Sequence, residues 1–208
     1  MKSLIPLCVT LVVLGGVRAQ DTSKPVAKGP PAATAGLSEK PVADVAAQLK
    51  DKDAKMRRAA AQELSRRGVK AVAAVPALTE AVEDTAAEVR TAAAEALGGI
   101  GVTAKSAVPT LLKALQDKDA MVRETAAEAL ADIRVEPEKV IPALVKLLTD
   151  NDFNVRCAAA KSIGDFGAAG RSALPELKKA LQDKHLFVRE AAAEAIQAIE
   201  KAARRIDS

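Results

Sequence analysis

The side chains best suited to chemistry in this sequence come as a series. Asp51, Asp84, Asp117, Asp150 and Asp183 stand 33 residues apart, and six residues after each stands Arg57, Arg90, Arg123, Arg156 or Arg189. A carboxylate and a guanidinium can exchange charge-assisted hydrogen bonds, and the donors of Arg are numerous enough to bridge two turns at once. Three of the aspartates carry a second one two residues on, in Asp51/Asp53, Asp117/Asp119 and Asp150/Asp152. Such pairs invite comparison with Ca²⁺ loops, but Ca²⁺ takes about six to eight oxygens and usually a tight Gly-containing loop. The second Asp fits better as the N-cap of a following helix. His185, the one histidine, falls at this second-Asp position in the fifth copy. That makes it a cap or loop residue rather than an acid–base catalyst, which would need an orienting partner in a pocket. Cys157 stands where other copies have Arg58, Thr91, Glu124 and Glu190. It reads as a partly exposed thiol, free or paired between molecules. G-x-S-x-G, H-E-x-x-H, Walker-type and Cys/His-cluster motifs are absent from the sequence, so no catalytic residue, metal or cofactor is expected.

The same 33-residue step places the elements around these side chains. Pro76, Pro109, Pro142 and Pro175 keep it, as do the apolar residues before each Arg (Met56, Val89, Val122, Val155, Val188) and seven after it (Leu64, Leu97, Leu130, Ile163, Ile196). A fixed period overrides other fold signals. Each unit contains two helical patterns. Val75, Leu78 and Val82 share one face of a first helix, and Val89, Ala93, Ala96, Leu97 and Ile100 share one face of a second. Ser106 and Ser172 read as N-caps, with each Pro in a first turn where its missing N–H costs nothing. Gly68, Gly101 and Gly167 are C-terminal stops, and Arg134 in the third copy predicts a different turn. The copies span about 38–67, 71–100, 105–134, 138–166 and 171–205, giving ten helices. The first departs from register and the last runs on without Gly or Pro, as terminal caps do.

Composition agrees. Ala supplies 46 of 208 residues, aromatics only 1%, and charged residues 28%. Small side chains and the highest helix propensity suit closely packed thin helical layers. They disfavour a β-sandwich or barrel, and also surfaces that stack nucleic-acid bases on rings. The fold class is all-α: a right-handed α-solenoid of five two-helix repeats.

Three regions are expected: a signal peptide over 1–19, a Pro/Ala/Lys-rich flexible linker over 20–37, and the repeat domain over 38–208. Lys2 precedes an apolar run from Leu4 to Val17, and Val17-Arg18-Ala19 suits cleavage before Gln20. The run is shorter than the roughly 20 residues that span a bilayer, so no stable membrane insertion is expected after cleavage. The chain would be secreted or periplasmic. Cleavage removes Lys2, Arg18 and Cys8, which lowers the charge from 31 − 27 = +4 to 29 − 27 = +2 and leaves Cys157 as the one thiol.

DKDAMVRETAAEAL and EALGGIGVTAKSAVPTLLKALQD resemble the HEAT-repeat family, in the short form of the phycobilisome-lyase-type group. The resemblance covers Ser38 to about Arg205. It implies that Asp51/Arg57, Asp84/Arg90, Asp117/Arg123, Asp150/Arg156 and Asp183/Arg189 form a structural ladder between neighbouring repeats. It also implies that second helices line the concave side.

Counting from each Arg, residues one, five and eight on share a stripe away from the apolar face. They are Arg58/Gln62/Ser65, Thr91/Glu95/Gly98, Glu124/Glu128/Ala131, Cys157/Lys161/Gly164 and Glu190/Glu194/Gln197. The stripe is acidic in copies two, three and five, whereas Lys113, Lys146 and Lys179 repeat on the first helices. Phosphate binding needs Lys and Arg gathered on one face, so nucleic acid is not an expected partner despite a pI near 9.1. The stripe reads either as a groove for a basic or polar peptide, with Arg58, Gln62, Thr91, Glu95, Glu124, Glu128, Lys161, Glu190 and Glu194 as contact residues, or as solvated helix surface. The expected function is an exported, non-catalytic protein-interaction or scaffold module. Two alternatives stand beside it: a lyase- or isomerase-like solenoid acting on a chromophore-bearing protein, and a structural subunit of an envelope complex.

Overall fold

In a computed structural model of the chain, residues 36–206 are described. The chain divides into two units, Met1–Pro30 and Pro31–Ser208. The signal-peptide expectation and nearly all of the linker expectation lie outside the described residues.

Ten α-helices and no strands occur among the described residues. Each second helix begins where an Asp or its substitute leaves extended backbone and the chain turns helical. These helices are α2 (Ala54–Arg67), α4 (Ala87–Ile100), α6 (Ala120–Ile133), α8 (Phe153–Asp165) and α10 (Leu186–Arg204). As expected, Asp53, Asp119 and Asp152 are N-caps, accepting from the backbone N–H of Lys55, Met121 and Asn154 at 2.9, 2.9 and 2.8 Å. Gly68, Gly101 and Gly167 then end α2, α4 and α8 at φ of 51°, 72° and 56°, a region that penalises a Cβ. In the third copy Arg134 must take the left-handed conformation itself, and Glu136 does the same two residues later.

The first helices are α1 (Val42–Ala47), α3 (Val75–Ala81), α5 (Val108–Ala114), α7 (Pro137–Leu147) and α9 (Leu174–Ala180). Two expectations at their starts need correction. Ser106 and Ser172 are not N-caps: a 3₁₀ stretch, Gly101–Ala107 or Gly167–Ala173, runs straight into the helix, and no side-chain cap bond forms. The tighter 3₁₀ turns satisfy backbone groups that a cap would otherwise serve. Pro142 does not lie in a first turn. The left-handed pair Arg134 and Glu136 replaces the 3₁₀ stretch, α7 starts early at Pro137, and Pro142 falls inside it.

The second helices form the continuous layer: α2 packs on α4, α4 on α6, α6 on α8 and α8 on α10, while first helices pack mainly on their own repeat's second helix. This layer holds the alanine. Leu64, Leu97, Leu130 and Ile163 are all fully buried with Ala61, Ala94, Ala127 and Ala160. In copies two to four the residue eight after the Arg also belongs to it, which corrects the three-position stripe there; Ser65 is half-buried and Gln197 exposed. Gly98, Ala131 and Gly164 are buried. A Cβ on Gly98 would sit 3.0 Å from the Ala129 Cα, and one on Gly164 2.8 Å from the Ala195 Cα. Helices this close need a residue without side-chain bulk at the crossing.

The first copy closes the array differently. At the position of Ile100 and Ile133 it has Arg67, whose Nε donates to Glu63 at 2.9 Å. The Arg67 Nη2 and Nη1 donate to the Leu37 and Lys40 carbonyls at 2.6 and 2.8 Å. Glu63 and Leu37 are both buried, so segment 37–40 lies as a strap over the N-terminal edge.

Candidate functional site

The Asp–Arg series forms four forks between successive repeats. The Nε and Nη2 of Arg57 donate to Asp84 at 2.7 and 2.8 Å, and Arg90 grips Asp117 at 2.7 Å through both nitrogens. Arg123 binds Asp150 at 2.8 and 2.8 Å, and Arg156 binds Asp183 at 2.8 and 3.0 Å. The Nη1 of each Arg meanwhile donates back to the carbonyl of its own turn's Asp, at 2.8 Å for Asp51 and 2.9 Å for Asp84. One oxygen of each aspartate also accepts the backbone N–H two residues on, as from Ala86 to Asp84. The guanidiniums are thereby committed, and Arg90 and Arg156 are buried.

Electrostatics follow this geometry. The Arg fork holds Asp84 and Asp183 below the ordinary carboxylate range. For Asp117 and Asp150 burial pushes upward, but the Arg fork and a backbone N–H outweigh it and the net shift is again down. The four arginines are raised, chiefly by the same bonds.

With the ladder fixing where second helices start, their exposed edges line a groove of about 460 Å³. Four residues singled out from the sequence meet there: Arg58 and Gln62 of α2, and Thr91 and Glu95 of α4. Glu88 joins them from the first turn of α4, and Asp119 and Met121 from the start of α6. Three carboxylates and one guanidinium thus line the groove, Asp119 with one oxygen engaged as the α6 N-cap, beside a Met121 side chain that is 56% exposed. A long flexible thioether can adapt to the aliphatic stem of a bound side chain while the carboxylates hold its cationic end.

The remaining stripe residues do not line this groove. Glu128, Lys161, Glu190 and Glu194 are exposed farther along α6, α8 and α10, and Glu124 is half-buried. Cys157 is half-buried as well, and burial raises its thiol pKa against the pull of Lys161 and Arg156. That disfavours the reactive thiolate. His185 sits at the N-cap of α10 without a side-chain cap bond. Its ring instead stacks on Phe153, centroids 3.8 Å apart and planes 13° apart, with Phe187 tilted against it at 5.5 Å.

Glu88, Asp119 and Met121 were not legible as groove residues from stripe counting. They stand two or four residues before each Arg, on the first turn, which the groove shares with the neighbouring helix's stripe. The ring stack was foreshadowed only by all three phenylalanines, Phe153, Phe166 and Phe187, falling in the last two repeats.

The family model for HEAT repeats matches residues 42–107, 101–152 and 141–207. A search of curated proteins finds no match. Among solved structures, the chain is similar to the CpcE–CpcF complex of phycocyanin lyase from Nostoc sp. PCC7120. Identity is 29%, 86% of this chain and 69% of that one are covered, and the TM-score is 0.69. An engineered protein matches at 25% identity over 81% and 88% of the two chains, TM-score 0.61. A designed armadillo-repeat protein in complex with the peptide (KR)4 matches at 22% identity over 76% and 81%, TM-score 0.63.

Proposed function

The chain belongs to the HEAT-repeat family, and from that premise we propose that it is an exported interaction module that holds a basic, extended segment of a partner protein and has no catalytic chemistry of its own. The observation that carries this reading is the groove between α2, α4 and the start of α6, which Glu88, Glu95 and Asp119 line together with Arg58 and an exposed Met121. Fixed helices offer carboxylates without a reorganisation cost, and charge complementarity selects partners and speeds encounter. The fold of the designed protein that binds (KR)4 is of the same class, but the preference for cations rests on the carboxylates of this chain. Nucleic acid is disfavoured because the arginines most regular in sequence are bound to aspartates.

A second reading, a subunit of an enzyme complex, draws support from the likeness to CpcE–CpcF. It requires a second repeat subunit bound in fixed stoichiometry.

The test is fluorescence anisotropy with labelled Lys/Arg-rich and Glu-rich peptides of equal length. The basic peptide should bind, more weakly as salt rises. Reversal of Glu88 and Glu95 to Lys should weaken it about tenfold or more at unchanged helicity. Extending the reversal to Glu124, Glu128 and Glu194 asks whether the groove continues along the stripe. Equal binding of the two peptides, or unaltered affinity after the reversal, overturns the reading.

A further inference from the structure

The last repeat does not end as the first one does. In α2, α4, α6 and α8 the residues four and seven after the ladder Arg are fully buried beneath the next repeat. In α10 the same positions, Ala193 and Ile196, are half-exposed. Leu186, on the same side, is 52% exposed. The ladder is open here too. The Nη1 of Arg189 donates to the carbonyls of Asp183 and Lys184 at 2.9 and 3.3 Å, as its counterparts do in their own turns. Its Nε and Nη2, which elsewhere fork onto the next repeat's aspartate, have no carboxylate among the described residues.

The exposed face has its own order. Leu186, Arg189, Ala193, Ile196 and Glu200 follow one another at steps of three, four, three and four, the spacing of a two-helix seam. The seam is self-complementary in an antiparallel sense. About a two-fold axis midway between Glu194 and Ala195, Arg189 falls opposite the partner subunit's Glu200, and Ala193 opposite the partner subunit's Ile196. Each contact is made twice, as an isologous interface requires. Charge meets opposite charge, a small side chain meets a large one, and the missing carboxylate of the ladder is supplied.

We infer that the C-terminal face of α10 is a dimerisation surface for a second copy of this chain, formed by antiparallel α10 helices with reciprocal Arg189–Glu200 pairs. Head-to-tail stacking is disfavoured because the N-terminal edge is already closed by segment 37–40 and the Glu63–Arg67 pair. A helix of 19 residues, about 28 Å long, offers a small interface, so the dimer is a weak one. The inference uses no groove residue and stands independently of the peptide-binding reading.

The test is sedimentation velocity of the full chain from about one to a few hundred micromolar, a range suited to weak association. The wild type should pass from monomer to dimer. Arg189→Glu alone and Glu200→Arg alone each place like charges across both ends of the seam and should raise the dissociation constant about tenfold or more. An equimolar mixture of the two variants restores opposite charges in the heterodimer and should recover association. Arg189→Glu also removes bonds to turn carbonyls, so circular dichroism must show unchanged helicity. Should that variant fail to fold, Glu200→Arg decides alone, because Glu200 is exposed and makes no ion pair among the described residues. A wild type monomeric throughout, a folded variant that dimerises as tightly as wild type, or a mixture of folded variants that does not recover overturns the inference.

Discussion

Gly164→Ala should destabilise this protein although alanine is the better helix former, and Gly99→Ala should stabilise it. Both glycines are second from the end of a second helix, α8 and α4. Replacing a helical Gly with Ala gains about 0.5–1 kcal/mol in either. The surroundings differ. A Cβ on Gly164 would lie 2.8 Å from the Cα and 3.0 Å from the Cβ of Ala195. Those atoms belong to α10 and cannot swing aside as a flexible side-chain tip would, so the two helices must part. Overpacking of this kind costs about 1–3 kcal/mol, for a net loss of about 1 kcal/mol. At Gly99 the nearest atom is the Ser65 carbonyl oxygen at 3.5 Å, an ordinary contact, and the propensity gain survives. The two variants should therefore differ by about 2 kcal/mol, or roughly 4–8 °C in thermal midpoint for a domain of this size. Urea and thermal unfolding followed by circular dichroism measure this. A second probe is needed, because repeat arrays can unfold in parts. A midpoint for Gly164→Ala at or above that of Gly99→Ala would refute the argument that bare backbone at the crossing sets the spacing of the second helices.

The ladder gives two more expectations. Asp117→Asn keeps the shape but leaves the buried Arg90 guanidinium without a carboxylate, at a cost of about 2–4 kcal/mol in urea unfolding. Asp51→Asn, at the end of the ladder with no Arg fork, should cost under about 1 kcal/mol; equal losses would sink the claim that the forks carry the stability. Acid should act through the same groups. Asp84, Asp117, Asp150 and Asp183 titrate below their ordinary 3.8 in the folded state. Their contribution is complete above that value and lost as pH falls through the lower folded values. Helicity should hold to about pH 4 and decline below it, and a helical signal unchanged at pH 2 would contradict the linkage.

The architecture was legible in the sequence because a period of 33 residues is a strong signal, whereas local caps are a weak one. Gly68, Gly101 and Gly167 at positive φ, each second Asp at an N-cap and the odd turn at Arg134 could be placed from residue type alone. Ser106 and Ser172 could not, since a serine before a Pro-bearing helix looks the same whether the chain arrives extended or through a 3₁₀ turn. The two sites differ in legibility for a related reason. Arg58, Gln62, Thr91 and Glu95 follow from helical spacing within one helix. Glu88, Asp119 and Met121 reach the groove from helix starts on α4 and α6, and how adjacent helices nest is fixed by Gly98 and Gly164 rather than by any residue in the groove. The buried Glu63–Arg67 cap was masked by the same periodicity: two charged residues at positions that are small or apolar elsewhere read as drift in an edge repeat until segment 37–40 is seen against them.

The division of labour along each second helix follows from the repeat itself. A residue present in every copy, such as the ladder Arg, is spent on its neighbour, because each repeat must solve the same stacking problem. Selectivity for a partner must therefore come from positions where copies differ. One residue after the Arg the chain has Arg58, Thr91, Glu124, Cys157 and Glu190, and two residues before it Lys55, Glu88, Met121, Asn154 and Phe187. The first set changes charge along the array, and the second is charged in the first two copies and uncharged in the last three, ending on Phe187. A partner segment lying along these helices would meet carboxylates and Met121 over the first three repeats and the Phe153–His185–Phe187 stack over the last two. On the proposed peptide-binding reading, such a segment would place its cationic stretch at the α2–α4 end and an apolar one toward α10.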